Sequence, residues 1–290
     1  MRHFDYAVPH SVQEAIALLS DHSPDVFPVA GGTDLLVRMK QNLSTPKMII
    51  DLAQIPELRG IELTDQGLRI GAMVTHTEII ASPLIRQYVP VVAAASASVG
   101  ALQTRNIGTI GGNLTACVPS NDSPLPLLVL DARVTVVGKN GKRQLMLEEF
   151  FKSPRCSAAG PDELLTEILI PPEHFGRGSS FVKFGRRKAM TLALVNVAAC
   201  VRTDRMRNCF DHVRLALGAV APTPIRARKA EAFLIGRPVS EEAMSQAGRI
   251  AADESRPIDD FRASAQYRRE LVTVLARRVL EEALSNHEVG

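Results

Sequence analysis

Two glycine-rich segments hold the residue types best suited to binding chemistry. Val29-Ala30-Gly31-Gly32-Thr33-Asp34-Leu35 and Thr109-Ile110-Gly111-Gly112-Asn113 each join a pair of adjacent glycines to a threonine. Paired glycines let a backbone come close to a ligand and aim several N–H groups at one point, which makes an anion nest. A helix starting just after the first segment would add its partial positive end. Neither segment contains Lys or Arg, so negative charge would be met by amide dipoles and threonine hydroxyls. That suits a diphosphate buried within a large cofactor better than a transferable terminal phosphate. A side chain placed at Gly32 or Gly111 would then project where the diphosphate approaches. Either pair taken alone reads more readily as an ordinary tight turn; the two together, each beside a threonine, bring a binding role level with that reading. Two familiar nucleotide patterns are absent: G-x-x-x-x-G-K followed by Ser or Thr, and a G-x-G-x-x-G closing a first βαβ unit.

Other reactive side chains carry less. Cys117, Cys156, Cys200 and Cys209 are scattered with no C-x-x-C, too sparse for a disulfide framework and unclustered for zinc or iron–sulfur. Cys209 and His212 have C-x-x-H spacing but no companion pair, so no metal is expected. No histidine is placed with a nearby Asp and Ser as in a hydrolytic triad, and His76, beside a helix cap, reads as a surface residue. The run Lys183, Arg186, Arg187 and Lys188 reads as a solvated basic edge. Asp122, between Asn121 and Ser123-Pro124, reads as a turn residue.

Composition narrows the class. The 290 residues are enough for about two domains and carry 46% hydrophobic and 22% charged residues with a net charge of +3. That balance gives no field for nucleic acid or an anionic membrane. Zero Trp and three Tyr argue against a base-stacking platform. The apolar stretch 89–102 is shorter than the ~18–20 residues of a transmembrane segment. The opening Met1-Arg2-His3-Phe4-Asp5-Tyr6 lacks a signal-peptide core. A cytoplasmic protein is expected.

The elements that must position the two segments follow from pattern. Ser11-Val12-Gln13-Glu14 is a capping box opening a helix with Ala15, Ile16, Leu18 and Leu19 as its apolar stripe. Strands are expected at 26–29, 48–52 and 68–72, and Thr75-His76-Thr77-Glu78 caps another helix. Residues 90–102 are compatible with helix. Asn140-Gly141 marks a hairpin between 134–137 and 142–147, and 164–170 is a strand closed by Pro171-Pro172. Beyond those prolines come strands at 181–184, 193–201 and 213–220. Helices follow at 227–235, 241–254 and 264–286, the last with Leu271, Val274, Leu275, Val279 and Leu280 inward. Strands followed by segregated helices suggest α+β.

Taken jointly, Val29-Ala30-Gly31-Gly32-Thr33-Asp34-Leu35 and Arg105-Asn106-Ile107-Gly108-Thr109-Ile110-Gly111-Gly112-Asn113-Leu114 resemble the FAD-binding (medium) subunit of the xanthine dehydrogenase/carbon monoxide dehydrogenase, or molybdenum hydroxylase, family. The Asn-Gly hairpin, the double proline and Lys183-Phe184-Gly185-Arg186-Arg187 extend the likeness over essentially the whole chain. The resemblance implies an α+β chain: a PCMH-type FAD-binding domain over residues 1–175, made of two α/β subdomains (about 1–55 and 56–175), then a C-terminal α+β domain over 176–290 with a three-stranded antiparallel sheet and helices.

It also implies a site. Gly31, Gly32, Thr33, Thr109, Gly111, Gly112 and Asn113 would wrap the FAD pyrophosphate, with Val29, Ala30, Asp34, Leu35 and Ile110 completing the two motifs. Asp122 would contact the cofactor, Leu165 and Lys183 would border the flavin, and Val99 stands where some relatives place an aromatic. The implied function is electron transfer with no catalytic acid or base in this chain. The implied partners are a small subunit with 2Fe-2S clusters and a large molybdopterin–molybdenum subunit, arranged as a dimer of heterotrimers, with NAD+, oxygen or a quinone as acceptor.

There are departures. Thr191 stands where many relatives carry Asp, which bears on the acceptor. Residues 113–131 hold only Cys117, so the extra iron–sulfur cluster of some relatives is not expected. Two rivals remain at this point: a self-contained FAD-dependent reductase or oxidase, and a non-redox nucleotide-binding module.

Overall fold

The computed structural model describes residues 2–187, 189–204, 206 and 208–288, so Lys188 of the basic run lies outside the described residues. The chain begins with β1 (Asp5–Ala7), a short strand without a pattern of its own, and α1 (Val12–His22). Ser11 accepts the Glu14 amide at 3.1 Å, but the Glu14 carboxylate takes the His10 N–H at 2.8 Å in place of that of Ser11. Ala15, Ile16 and Leu19 of α1 are buried against β2 (Val26–Val29) and β3 (Met48–Asp51). The three strands form a parallel sheet in the order β1-β3-β2, and α2 (Leu35–Lys40) follows the first glycine segment.

The middle of the chain alternates short helices with an antiparallel sheet. Its strands are β4 (Ile61–Thr64), β5 (Gly67–Gly71), β6 (Arg133–Gly138), β7 (Gly141–Met146), the small hairpin β8 (Phe151–Ser153) and β9 (Cys156–Ser157), and β10 (Glu163–Ile170). All but β8 and β9 join one sheet, ordered β4-β5-β10-β6-β7. The expected hairpin forms with Gly138 opposite Gly141, so Lys139 and Asn140 make the turn and Gly141, at φ 107°, opens the return strand. Between β5 and β6 lie α3 (His76–Ala81), α4 (Pro83–Tyr88), α5 (Pro90–Ala97), α6 (Leu102–Ile107), α7 (Ile110–Thr115) and α8 (Pro124–Val129). Pro83, Pro90 and Pro124 each begin a helix, where a missing N–H costs nothing. The one-turn α9 (Leu147–Phe150) follows β7. Thr75 and Glu78 make the full capping box at α3.

The C-terminal part contains β11 (Gly178–Gly185), β12 (Ala193–Asp204), β13 (Cys209–Gly218) and β14 (Ile225–Arg226), then α10 (Arg228–Leu234), α11 (Glu241–Glu254) and α12 (Ala265–Glu288). The antiparallel sheet runs β11-β12-β13-β14, so the three expected strands gain a two-residue edge strand. Both faces of β12 are buried. Val195, Val197, Ala199 and Val201 pack with α10–α12, while Ala198 and Cys200 join the core of the middle sheet. A strand buried on both sides reads as continuous apolar sequence rather than alternation.

The inward set of α12 differs from expectation at one position. Val272, Leu275, Ala276, Val279, Leu280 and Ala283 are buried, whereas Val274 is 48% exposed. The i, i+3, i+4 stripe starting at Val272 puts Val274 on the outer face. Among the described residues, no helix is long and apolar enough to cross a membrane.

The α11–α12 contact depends on Gly248. A Cβ there would stand 2.4 Å from the Thr273 carbonyl oxygen, and backbone on the opposing helix cannot yield as a side chain would. Gly248→Ala should therefore lower the urea midpoint, by an amount equivalent to about 1–3 kcal/mol. At an exposed helix position the same change would stabilise by up to ~1 kcal/mol, so the sign of the shift decides.

Candidate functional site

The loops at the ends of β2 and β5 converge on α7 and β10 to form one cleft of ≈ 520 Å³. It is lined by Val29, Ala30, Gly31, Gly32, Thr33, Asp34, Leu35, Val99, Thr109, Gly111, Gly112, Asn113 and Leu165. Thirteen of the residues singled out from sequence thus meet at one place. Ile110 does not line the cleft: its side chain is fully buried in the middle core. Asp122 and Lys183 stand behind the wall.

The two glycine segments do different physical jobs. Among the described residues, no protein acceptor meets the amides of Gly31, Gly32, Thr33 or Asp34, which leaves a run of donors at the cleft. The second segment is not a loop but the N-cap and start of α7, and its amides from Ile110 to Asn113 are taken. Ile110 donates to Val74 O at 2.9 Å, Gly111 to Ala72 O at 2.9 Å, and Gly112 to the Thr109 hydroxyl at 3.1 Å. Its contribution to the cleft is side-chain chemistry. The Asn113 Oδ1 is buried with no hydrogen-bond partner, an arrangement that is costly unless a ligand donor meets it.

The glycines also differ from expectation in what their bare Cα atoms permit. A Cβ on Gly31 would lie 1.8 Å from the Ile107 carbonyl oxygen, and one on Gly111 would lie 2.6 Å from Ala72. On Gly32, at φ +68°, it would meet the Leu36 side chain at 2.9 Å. Added side chains at Gly32 and Gly111 would thus collide with protein, not with the space where a diphosphate approaches. The glycines bring backbone against backbone.

Behind the wall, Lys183 on β11 donates to Asp122 Oδ2 at 2.5 Å and to Ser98 O at 3.0 Å. The Asn196 amide, on β12, donates to Asp122 Oδ1 at 2.8 Å and to Asn121 O at 3.2 Å. Burial pushes the Asp122 carboxyl above its ordinary range, against the opposing pull of Lys183 and Asn196. Asp122 is therefore no mere turn residue. Nor is Lys183 part of a solvated edge: its side chain is 11% exposed, whereas Arg186 and Arg187 do face solvent. The two tie the C-terminal sheet to the backbone beside Val99 and Asn121, both on the cleft. At the opposite end, Asp34 pairs with Arg155 at 2.6 Å.

His76 is the main residue that sequence reasoning misplaced. It lines the cleft and is 1% exposed, because its N–H bonds Gly108 O at 3.0 Å and turns the first residue of α3 inward. Its Nδ1 lies 3.5 Å from the Ser96 hydroxyl. Burial, helped by the charge of Arg105, pushes the imidazole pKa down to about 4, so the ring is neutral near pH 7. A methyl on Gly108 would stand 3.6 Å from both the His76 ring and the Thr33 hydroxyl, which places the three groups together. Asn121 and Leu192 also line the cleft. Asn196 carried a usable signal: a lone amide inside the apolar run Ala193-Leu194-Val195-Asn196-Val197 must find buried partners.

Comparison with known proteins finds relatives over nearly the whole chain. A family model described as the FAD binding domain in molybdopterin dehydrogenase matches residues 2–173. A second, described as the CO dehydrogenase flavoprotein C-terminal domain, matches residues 180–283. The carbon monoxide dehydrogenase medium chain of Hydrogenophaga pseudoflava is 33% identical over 280 residues, covering 97% of this chain and 96% of its own. The xanthine dehydrogenase FAD-binding subunit of Escherichia coli O157:H7 is 32% identical over 289 residues, covering 97% of each. Among solved structures, the Hydrogenophaga pseudoflava carbon monoxide dehydrogenase lacking the Mo-pyranopterin moiety of its molybdenum cofactor superposes with a TM-score of 0.95 at 33% identity, over 98% of both chains. Quinoline 2-oxidoreductase from Pseudomonas putida 86 gives 0.92 at 30% identity, over 99% of this chain and 100% of that one.

Two outcomes test the site. Asn113→Ala removes an oxygen that has no protein partner. It should weaken FAD about tenfold, equivalent to ~1.4 kcal/mol, in a fluorescence titration, and leave the melting temperature of the apoprotein unchanged. Gly31→Ala should instead lower that melting temperature.

His76 gives a pH signature. Its proton affinity is lower folded than unfolded, so stability should fall as pH drops from about 6.5 towards 4, by on the order of 2–3 kcal/mol. Urea midpoints of the native protein and His76→Gln, measured between pH 7 and 4, should converge as the pH falls.

Proposed function

The chain belongs to the FAD-binding subunits of the molybdopterin dehydrogenases, the xanthine and carbon monoxide dehydrogenase family of oxidoreductases, and from that membership we propose that it is the electron-transferring flavoprotein subunit of a molybdenum hydroxylase. The observation that carries this reading is the cleft itself. A run of unpaired amides at 31–34 stands beside the partnerless Asn113 Oδ1. Free donors in a row fit a diphosphate, and a buried acceptor fits a donor on the same cofactor. The residues present therefore suit FAD.

Bound there, FAD would supply the redox chemistry that links 2Fe-2S clusters of a small partner subunit to an external acceptor, NAD+, oxygen or a quinone. The protein's part is placement and electrostatics. The amides of Gly31, Gly32, Thr33 and Asp34, with the Thr33 hydroxyl, would hold the pyrophosphate. Thr109 caps α7 and so keeps Asn113 turned into the cleft. Val99, Leu165 and Leu192 would cover the apolar ring system, and His76, near Thr33, lines the cleft as a neutral imidazole without adding charge. Lys183, through Ser98 O, holds the backbone that carries Val99. Asp122 keeps the Lys183 ammonium from standing unpaired behind the flavin. No residue of this chain serves as general acid or base.

The medium chains similar to it are named as parts of dehydrogenases. For this chain we infer a cytoplasmic dimer of heterotrimers with a small iron–sulfur subunit and a large molybdopterin–molybdenum subunit. Two domains, 1–175 (with subdomains of about 1–55 and 56–175) and 176–290, suit the sheet organisation. Thr191 sits at the turn beside Leu192, its hydroxyl donating to Leu192 O at 3.1 Å, and so brings no carboxylate of its own next to Leu192. We assign it a part in acceptor choice.

The purified chain should show flavin absorption, and acid should release FAD at one per chain, identified by chromatography. A colourless chain that takes up no added FAD would sink the reading. Turnover of NAD(P)H with an organic substrate by the chain alone would replace it with a self-contained reductase.

A further inference from the structure

Far from the cleft, the face of the C-terminal sheet turned to the middle core carries a second concentration of chemistry. Cys200 on β12 and Arg214 on β13 are directly opposed, as are Arg202 and His212, so Cys200 and His212 are diagonal neighbours on one face. The 3-10 turn Pro172–His174, which leads from β10 towards β11, brings His174 to the same spot. One ligand atom from each of His174, Cys200 and His212 lies within 4.8 Å of the other two, and this is the cluster of its kind among the described residues.

The imidazole nitrogens make this more than proximity. His174 Nε2 is 3.2 Å from Asp131 Oδ2, with the His174 side chain 2% exposed. With its ring proton on Nε2 towards that carboxylate, the ring would present Nδ1 as the lone-pair nitrogen, as a metal-bound histidine backed by a carboxylate does. His174 Nδ1 and His212 Nε2 are both buried with no hydrogen-bond partner. Two buried imidazole nitrogens without a hydrogen-bond partner, grouped with one thiol, suit a soft cation. Cys209, the cysteine in C-x-x-H spacing with His212, is not in the cluster.

Charge selects among soft cations. Arg177, Arg214 and Arg226 act on Cys200 together with Asp131, and Arg226 is also held by Glu231, so three guanidinium groups stand against two carboxylates. A thiolate with two neutral imidazoles bears one negative charge. A monovalent ion leaves that set neutral, while a divalent one would add a positive charge beside guanidinium groups. Three ligands also suffice for a monovalent copper ion.

We propose that His174 Nδ1, Cys200 Sγ and His212 Nε2 bind one Cu(I) ion, which clips the turn after the middle sheet to the C-terminal sheet. Binding replaces the Cys200 S–H bond with an S–Cu bond and releases one proton to solvent, and no oxidation state changes. The role is structural and independent of the flavin cleft.

The test uses the full flavin-loaded chain carrying Cys156→Ser and Cys209→Ser, so that the exposed and half-buried thiols do not compete. It is titrated without oxygen with Cu(I) buffered by a bathocuproine chelator. One copper per chain should be retained, with one sulfur and two nitrogen neighbours by X-ray absorption. The melting temperature should rise by about 5 °C when free copper is well above its dissociation constant. Further substitution with Cys200→Ser, or separately with His212→Gln at the more accessible edge, should abolish retention and the rise, with flavin content reporting that each variant is folded. No retention against the chelator would overturn the proposal, the nitrogens then being met by water. Retention unchanged in both variants would do the same, and so would displacement of Cu(I) by equimolar Zn(II).

Discussion

The close approach of Gly31 to the Ile107 carbonyl, and of Gly111 to Ala72, is the constraint on which the cleft depends. At these two points the backbone of one segment occupies the space that a side chain of the other would fill. Because the approach is so tight, the amides of Ile110 and Gly111 reach acceptors on the β5–α3 connection. That locks α7 against the middle sheet. The first segment is pressed against the end of α6 at the same time, and its own amides are left pointing into the gap. A nest of unpaired donors is thus a consequence of packing, and the binding chemistry follows from it.

Apart from Leu192, the C-terminal domain contributes charge in place of cleft surface. Two aspartates of the middle region accept its cations. Asp122 takes Lys183 from β11, and Asp131 takes Arg214 from β13 and Arg226 from β14. Burial works against the Asp131 carboxylate, but His174 and the two guanidiniums outweigh it and hold its pKa well below the usual range. Arg226 is in turn held by Glu231 of α10. Ion pairs this deeply placed add little net stability over apolar packing, but removing one partner strands a charge. They fix how the C-terminal sheet sits on the middle core, and through Lys183 and Asn196 they set the backbone that carries Val99 and Asn121.

Much of the architecture was legible in the chain. Helix α11 was expected over the residues it occupies, and β2, the Thr75–Glu78 box and the hairpin at Asn140-Gly141 came from local chemistry that tertiary contacts left in force. Failures fell where packing overrode local pattern. Val274 continues the apolar run of α12 yet faces outward. His76 follows a cap that usually marks a surface, and a hydrogen bond to Gly108 turned it in. Asp122 and Lys183 look like a turn residue and a basic edge until their 2.5 Å contact is seen.

The sequence by itself determined the class of molecule and the two paired-glycine segments of the cleft: composition, capping boxes, turn glycines and the paired-glycine motifs are local properties, set by backbone sterics and short-range hydrogen bonding. Only the tertiary structure decided which amides stay free, which histidine is neutral and buried, and which cysteine stands beside His212. Those outcomes depend on residues far apart in the chain, because a donor, a carboxyl group or an imidazole takes its character from the neighbours that folding brings to it.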